Sequence, residues 1–391
     1  MDQKRKSSIS AELRRFWRTM NFDGALLEDW MRDHYHDAAI DIGSSGVLDY
    51  SLGQVRELAG IEPGDLDEIV FRDSPCLGRD DLREAIAARW GDGDARRVML
   101  THGGSEAIYV ALQTLLEPGD QVVALHPAYH SHVSVAESMG CEVLRWQLRE
   151  EDHFRPDVEE LARIVTARTK VIVVNFPHNP TGATLDPAGF RRLLEIADSV
   201  GAHLLWDGAF TDLVYDDAPL PDPGLTYPRT VSIGTFSKAF GLPGMRFGWC
   251  MADPELLRAM TNLRDRITLS LSPLLEYIAL RVVQRADVFI APRLQNAEAN
   301  RRLLADWAAR HEDHVDLPLP LGGVTAFPRL RPWQDTTELC RRLGETSNIL
   351  LVPGRAFDHP SRVRLGFGGD HGQLSKGLDI LGAEFAASPQ P

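Results

Sequence analysis

Paired cysteines, an apolar run of membrane length and an excess of basic residues are all missing from this chain of 391 residues. Its four cysteines, Cys76, Cys141, Cys250 and Cys340, are widely separated and show no paired metal spacing, so the sequence predicts buried, reduced thiols and no disulfide. Apolar stretches such as Val171 to Val174 and Leu204 to Trp206 fall far short of a bilayer span, which excludes a membrane helix. Lys4, Arg5 and Lys6 open in the manner of a signal peptide, but Glu12, Arg14 and Arg15 interrupt any apolar stretch after them. A cytoplasmic chain with a frayed start is expected. With 42 basic against 56 acidic residues the net charge is −14, a field that disfavours nucleic acid as the main partner, so an anionic ligand needs a local cationic site. Neither G-x-G-x-x-G nor a Walker lysine pattern occurs. The 32 glycines and 24 prolines stay below the low-complexity range, and 43% hydrophobic residues suffice for a core deep enough to hold a site.

What is present is an α/β pattern between about residues 95 and 250, where short apolar runs alternate with helical periodicity. An amphipathic helix follows Gly103 and Gly104, with Ile108, Ala111, Leu112, Leu115 and Leu116 on one face and Pro118 and Gly119 as its stop. Strands are predicted at Val122 to Leu125, Cys141 to Leu148, Val171 to Phe176, Ala202 to Trp206 and Thr230 to Ile233. Helices are predicted at Ser131 to Met139, Val158 to Val165 and Pro187 to Val200. Runs apolar on both faces suit a mostly parallel sheet covered by helices on both sides. Beyond Arg246 the pattern predicts long helices over Pro254 to Ser270 and Pro273 to Arg310. A smaller α+β segment follows, with strands near Val324 to Leu330 and Arg362 to Phe367 and a loose tail from Ala387 to Pro391. A helical pattern at Leu26 to His36 has no core of its own and is expected to pack on this second unit.

Four segments carry chemistry. The first runs from Thr235 through Ser237 and Lys238 to Arg246 and Gly248, placing a lysine just after an apolar strand among hydroxyls and glycines. A desolvated amine there can form a Schiff base, although an isolated lysine is more often a solvated one. The second, Asn175 to Gly182, is turn-rich at the C-terminal end of a strand, where ligands of open α/β sheets bind; it also reads as an ordinary turn. The third ends a strand on Asp207, a carboxylate suited either to capping a turn or to holding a heterocyclic nitrogen protonated. The fourth, Thr101 to Glu106, puts glycines at a helix start, where free N–H groups and the helix dipole favour an anion, or simply cap the helix. Two histidine pairs, His34 with His36 and His130 with His132, lack the carboxylates that would complete a metal site, so no metal is expected.

In order and spacing these segments resemble the fold type I pyridoxal-phosphate enzymes, the aspartate aminotransferase superfamily, from about Asp41 to Phe367. The resemblance implies pyridoxal 5'-phosphate as cofactor, a homodimer, and a fold type I α/β architecture. That architecture has a large cofactor domain with a mostly parallel sheet over 45–275 and a smaller α+β domain from 1–44 and 276–391. It also implies Lys238 as the Schiff-base lysine, Asp207 as partner of the pyridine nitrogen, and Asn179 as hydrogen-bond partner of the ring oxygen. Gly104, Ser105, Thr235, Ser237 and Arg246 match phosphate ligands, and Tyr129 the aromatic that stacks on the ring, its alternative being a core tyrosine. Arg364 matches the arginine that grips the substrate carboxylate, its alternative being a strand-edge surface residue. The chain departs from the family at Phe210, which stands in the cofactor pocket where a tyrosine usually bonds the ring oxygen. The family's cross-subunit tyrosine is not evident in Phe71 to Gly78. Without the tyrosine's bond, the lysine linkage is expected to titrate higher.

The segment Asp41 to Gly53, with Leu27, Glu28, Asp29 and Trp30 before it, resembles the capreomycidine-forming cyclases of peptide-antibiotic pathways more than the usual transaminase opening. That likeness implies dehydration and ring closure of 3-hydroxy-L-arginine, with Glu28 or Asp29 available to a guanidinium or simply solvated. The rival is an amino-acid aminotransferase with an oxo-acid acceptor. A cofactor-binding transcription regulator is disfavoured because the enzyme-like part begins almost at the start, leaving no room for a basic helix-turn-helix module.

Overall fold

A computed structural model describes residues 24–387. The expected frayed start lies outside the described residues, as does the expected loose tail apart from Ala387, which ends the last helix. Seven strands form the central sheet: β1 (Val98–Thr101), β2 (Gln121–His126), β3 (Glu142–Gln147), β4 (Thr169–Asn175), β5 (His203–Asp207), β6 (Thr230–Thr235) and β7 (Gly248–Met251). Their order is β1-β7-β6-β5-β4-β2-β3. Only β7 runs against its neighbours; the other pairs are parallel. The sheet is therefore mostly parallel, as the apolar runs predict. β1, β2, β6 and β7 are buried along their whole length, each large apolar side chain contributing about 1.5–3 kcal/mol. The edge strand β3 has one neighbour and is only partly buried.

Helices cover both faces. On one, α2 (Gly103–Leu115), α3 (Ser131–Ser138) and α6 (Pro254–Arg264) bury Ala107, Ile108, Ala111, Val135 and Met260 against Val122, Val171 and Val231. On the other, α4 (Val158–Ile164) and α5 (Pro187–Val200) bury Leu161, Phe190 and Leu193 against Val123, Ile172 and Leu204. The ends of α5 are written in the sequence: Asp186 accepts from Gly189 N–H, Pro187 opens the first turn, and Gly201 closes the helix in a left-handed conformation.

The late residues build small sheets, with Val363–Gly366 antiparallel to Thr325–Ala326 and Val352–Pro353. Ile40–Asp41 pairs in parallel with Ile349–Leu350, tying the early segment to the late one. Helix α1 (Leu26–His34) joins them, its Trp30 Nε1 donating to Leu351 O at 2.7 Å.

Three expectations need correction. The helix predicted over Pro273 to Arg310 is two, α7 (Pro273–Val283) and α8 (Ala286–Arg310), because Arg285 leaves the helical region at φ −126° and ψ 28°. Pro292, the apparent breaker, sits inside α8 on an exposed face, where the Val288 carbonyl it leaves unbonded can be hydrated. Helix α6 stops at Arg264, not Ser270, because the Arg264 carbonyl accepts from Ile267, Thr268 and Leu269 N–H and turns the chain back. Cys250 and Cys340 are buried, but Cys76 and Cys141 are only part-buried; all four are free. No helix among the described residues is long and apolar enough to cross a membrane.

Candidate active site

The C-terminal ends of β4, β5 and β6 and the N-terminus of α2 converge on a cavity of about 740 Å³. Its lining includes Gly104, Ser105, Tyr129, Asn179, Asp207, Phe210, Thr235, Ser237, Lys238, Arg246 and Arg364, so all eleven site residues expected from the sequence meet in one place. Parallel strands put their last residues along one edge, and each contributes a polar group there.

Asp207 ends β5 and is held from two sides. Its Oδ2 lies 2.8 Å from His132 Nε2, and its Oδ1 accepts from Ala209 N–H at 3.0 Å. Asn175 at the end of β4 donates to Asp207 O and accepts from Asn179 N–H, which fixes the turn that presents Asn179. Arg364 is buried; its Nε and Nη2 donate to Gly43 O at 3.1 and 2.9 Å, and Nη1 reaches Asn179 Oδ1 at 3.5 Å. Burial lowers its pKa to about 10. That environment contradicts the surface alternative for this arginine.

Lys238 follows β6. Burial, then the charge of Arg364, push its amine down to about 8, and Nζ donates to Ser45 Oγ at 2.8 Å. The Phe210 ring lies 5.6 Å from Nζ and offers no hydroxyl. On the anion side, Thr235 Oγ1 donates to Ser237 Oγ at 3.0 Å, and Arg246 Nη1 approaches Ser237 Oγ at 3.4 Å. Gly103 adopts φ +77°, a conformation that favours glycine, and a Cβ there would lie 2.9 Å from Arg246 Nη2, so the guanidinium would have to shift away from the helix start.

Two neighbours, Ser45 and His132, were not legible as site residues, whereas Glu28 was one of the two carboxylates the opening segment offers to a guanidinium. Ser45 lies in the distinctive opening segment, but nothing marks which of its hydroxyls meets the lysine. His132 belongs to a histidine pair that the sequence marks only as lacking the carboxylates of a metal site, and its partner Asp207 is far along the chain. Glu28 lines the cavity with its Oε1 3.5 Å from Tyr129 Oη, whereas Asp29 turns outward to Arg32. Burial raises the Tyr129 hydroxyl pKa. No group of three or more His, Cys, Asp or Glu side chains is placed to hold a metal among the described residues.

The sequence profile of the family described as aminotransferase class I and II matches residues 66–381. The chain belongs to that family. It is 47% identical over 362 residues to the capreomycidine synthase of Streptomyces vinaceus, covering 92% of this chain and 93% of that protein. Among solved structures it is similar to the PLP-dependent cyclase OrfR, with a TM-score of 0.88 and 43% identity over 93% of this chain and 97% of that one. It is also similar to a PLP-dependent aminotransferase from Streptococcus suis, with a TM-score of 0.90 and 26% identity over 95% and 100% of the two chains. For a family member, the residues present fit a phosphorylated pyridine aldehyde. A carboxylate, hydroxyls, the start of a helix, an arginine and an amine with lowered pKa all line the one cavity.

Proposed function

We propose that this chain uses pyridoxal 5'-phosphate to dehydrate and cyclise 3-hydroxy-L-arginine to capreomycidine in peptide-type antibiotic biosynthesis. The observation that carries this reading is the Lys238–Ser45 contact: the opening segment that resembles the cyclases reaches the reacting lysine itself. When bound, the cofactor supplies an electron sink for the pair left at the substrate's α-carbon.

The chain's own groups divide the remaining work. Gly104, Ser105, Thr235, Ser237 and Arg246 hold the phosphate, and Asp207, steadied by His132, keeps the ring nitrogen protonated. Asn179 would bond the ring oxygen, Tyr129 would stack on the ring, and Arg364 would take the α-carboxylate. Lys238 Nζ, neutral in part near pH 8, takes the α-proton. The β-hydroxyl leaves as water, a guanidine nitrogen closes on the β-carbon, and a proton returns to the α-carbon, so substrate and product differ by one water. Ring closure depends on holding the guanidinium close to the β-carbon. Glu28 is the carboxylate we assign to it. Asp41, Asp49 and Asp370 also line the cavity, but Asp41 and Asp370 accept from backbone N–H groups of Ser44 and Gln373, and Asp49 lies in the field of Arg293.

The division into a cofactor domain over 45–275 and a smaller domain from the flanking residues belongs to this reading and is supported by the pairing of Ile40–Asp41 with Ile349–Leu350. A second copy of the chain as partner is supported by the exposed apolar residues Val70, Phe71, Ile267 and Leu269. The test is incubation with 3-hydroxy-L-arginine without an oxo acid, beside common amino acids with 2-oxoglutarate. Repeated turnover to a product lighter by one water is expected. Acceptor-dependent amino transfer with no cyclised product would establish the aminotransferase instead.

A further inference from the structure

The start of α2 has a feature that the cofactor contacts do not use. The first four N–H groups of a helix, here those of His102, Gly103, Gly104 and Ser105, have no partner within it. His102, at the N-cap position, provides no side-chain cap. The carboxylate of Glu106, one turn on, reaches back instead, and its Oε2 accepts from His102 N–H at 2.6 Å and lies 3.2 Å from His102 Nδ1. Its Oε1 accepts the hydroxyl of Thr268, from the turn after α6. Burial pushes the Glu106 carboxyl up, but the bonds from His102 and Thr268 and the nearby charge of Arg264 outweigh this and hold it near 2. Arg264, fully buried, binds Leu100 O and Leu269 O and so anchors the same turn.

We propose that Glu106 is a positioning residue for the cofactor phosphate. By satisfying His102 N–H and bracing the helix start against the Thr268 turn, it leaves the Gly103, Gly104 and Ser105 N–H groups as the donors aimed at the anion. A carboxylate beside an anion site is unfavourable by charge alone, so its presence requires a geometric benefit that exceeds the repulsion. The inference rests on the cofactor phosphate lying at the α2 N-terminus.

The test frees the full-length chain of cofactor and retitrates it with pyridoxal 5'-phosphate and, separately, with pyridoxal, which lacks the phosphate. Glu106→Ala is expected to weaken pyridoxal 5'-phosphate binding by about tenfold or more while leaving pyridoxal within about twofold. Glu106→Gln, which keeps one acceptor, should fall between. Parallel losses for both ligands, unchanged affinity, or tighter phosphate-dependent binding from relief of repulsion would each overturn the proposal. Should Glu106→Ala not fold, Thr268→Val removes one leg of the brace and should shift the same ratio in the same direction; an unmoved ratio counts against it. Arg246→Ala serves as the control for the phosphate position. If it weakens both ligands equally, the placement of the phosphate itself fails. If it is selective and the Glu106 variants are not, only the role of Glu106 fails.

Discussion

At Lys238 the amine is lowered to about 8, so near neutral pH a minority is neutral and only that fraction attacks a carbonyl. The rate at which cofactor-free chain recombines with pyridoxal 5'-phosphate should therefore rise about tenfold per pH unit below 8 and level off above it. A flat rate from pH 6 to 9 would contradict the assigned environment. Lys238→Ala should lose the reducible lysine linkage and its absorbance while keeping its circular dichroism; a reducible linkage in the variant would place the reacting lysine elsewhere. At Phe210, a tyrosine would bring a hydroxyl toward the ring oxygen, so Phe210→Tyr should lower the pH at which the linkage absorbance titrates. An unmoved titration in a correctly folded variant would count against the ring position. Asp207 and Lys238 were legible because they end or closely follow apolar strands in recognisable segments, and Arg364 because Val363 to Gly366 matches a family segment. Ser45 was not, because contact between residue 45 and residue 238 depends on the path of the whole opening segment across the sheet edge, and the choice between Glu28 and Asp29 needed the packing of their helix.

Among the elements, the five strands with long apolar runs were readable in the sequence, whereas β1 and β7 were not. Each has four residues, and they pair with each other just before the start of α2, a long-range partnership that local periodicity does not encode. The same limit applies to the break before α8, which is set by the backbone of Arg285 and not by a proline. The turn into α2 offers an element-scale prediction. Gly103→Ala must hold a left-handed residue, at a cost of about 1–2 kcal/mol, and must displace Arg246. Cofactor affinity should fall about tenfold or more in equilibrium titration, and full affinity would show that the cradle tolerates a side chain. On the strand Val363–Gly366, Arg364→Lys keeps the charge but loses the planar fork, so KM should rise about 10–100-fold with a smaller change in kcat.

For the molecule as a whole, a net charge of −14 coexists with a cavity that gathers Lys238, Arg246 and Arg364. That is the local cationic site the composition demanded for an anionic ligand. The same cavity carries Glu28 on α1, an element packed on the late part of the chain, so the wall facing a substrate side chain is assembled from both ends of the sequence. Glu28→Gln should therefore raise KM for 3-hydroxy-L-arginine at least tenfold, while Asp29→Asn, which alters an outward pair, should leave it within about twofold. Equal effects would remove Glu28 from guanidinium recognition.

Reaction in deuterium oxide tests the central claim most directly. With 3-hydroxy-L-arginine and no oxo acid, the enzyme should release a single stereoisomer of a cyclic amino acid, lighter by one water and carrying solvent deuterium at the α-carbon, because in the proposed reaction Lys238 removes that proton and ring closure restores one from exchangeable sites. Formation of an open-chain oxo acid, with amino transfer to an added acceptor and no ring, would contradict it.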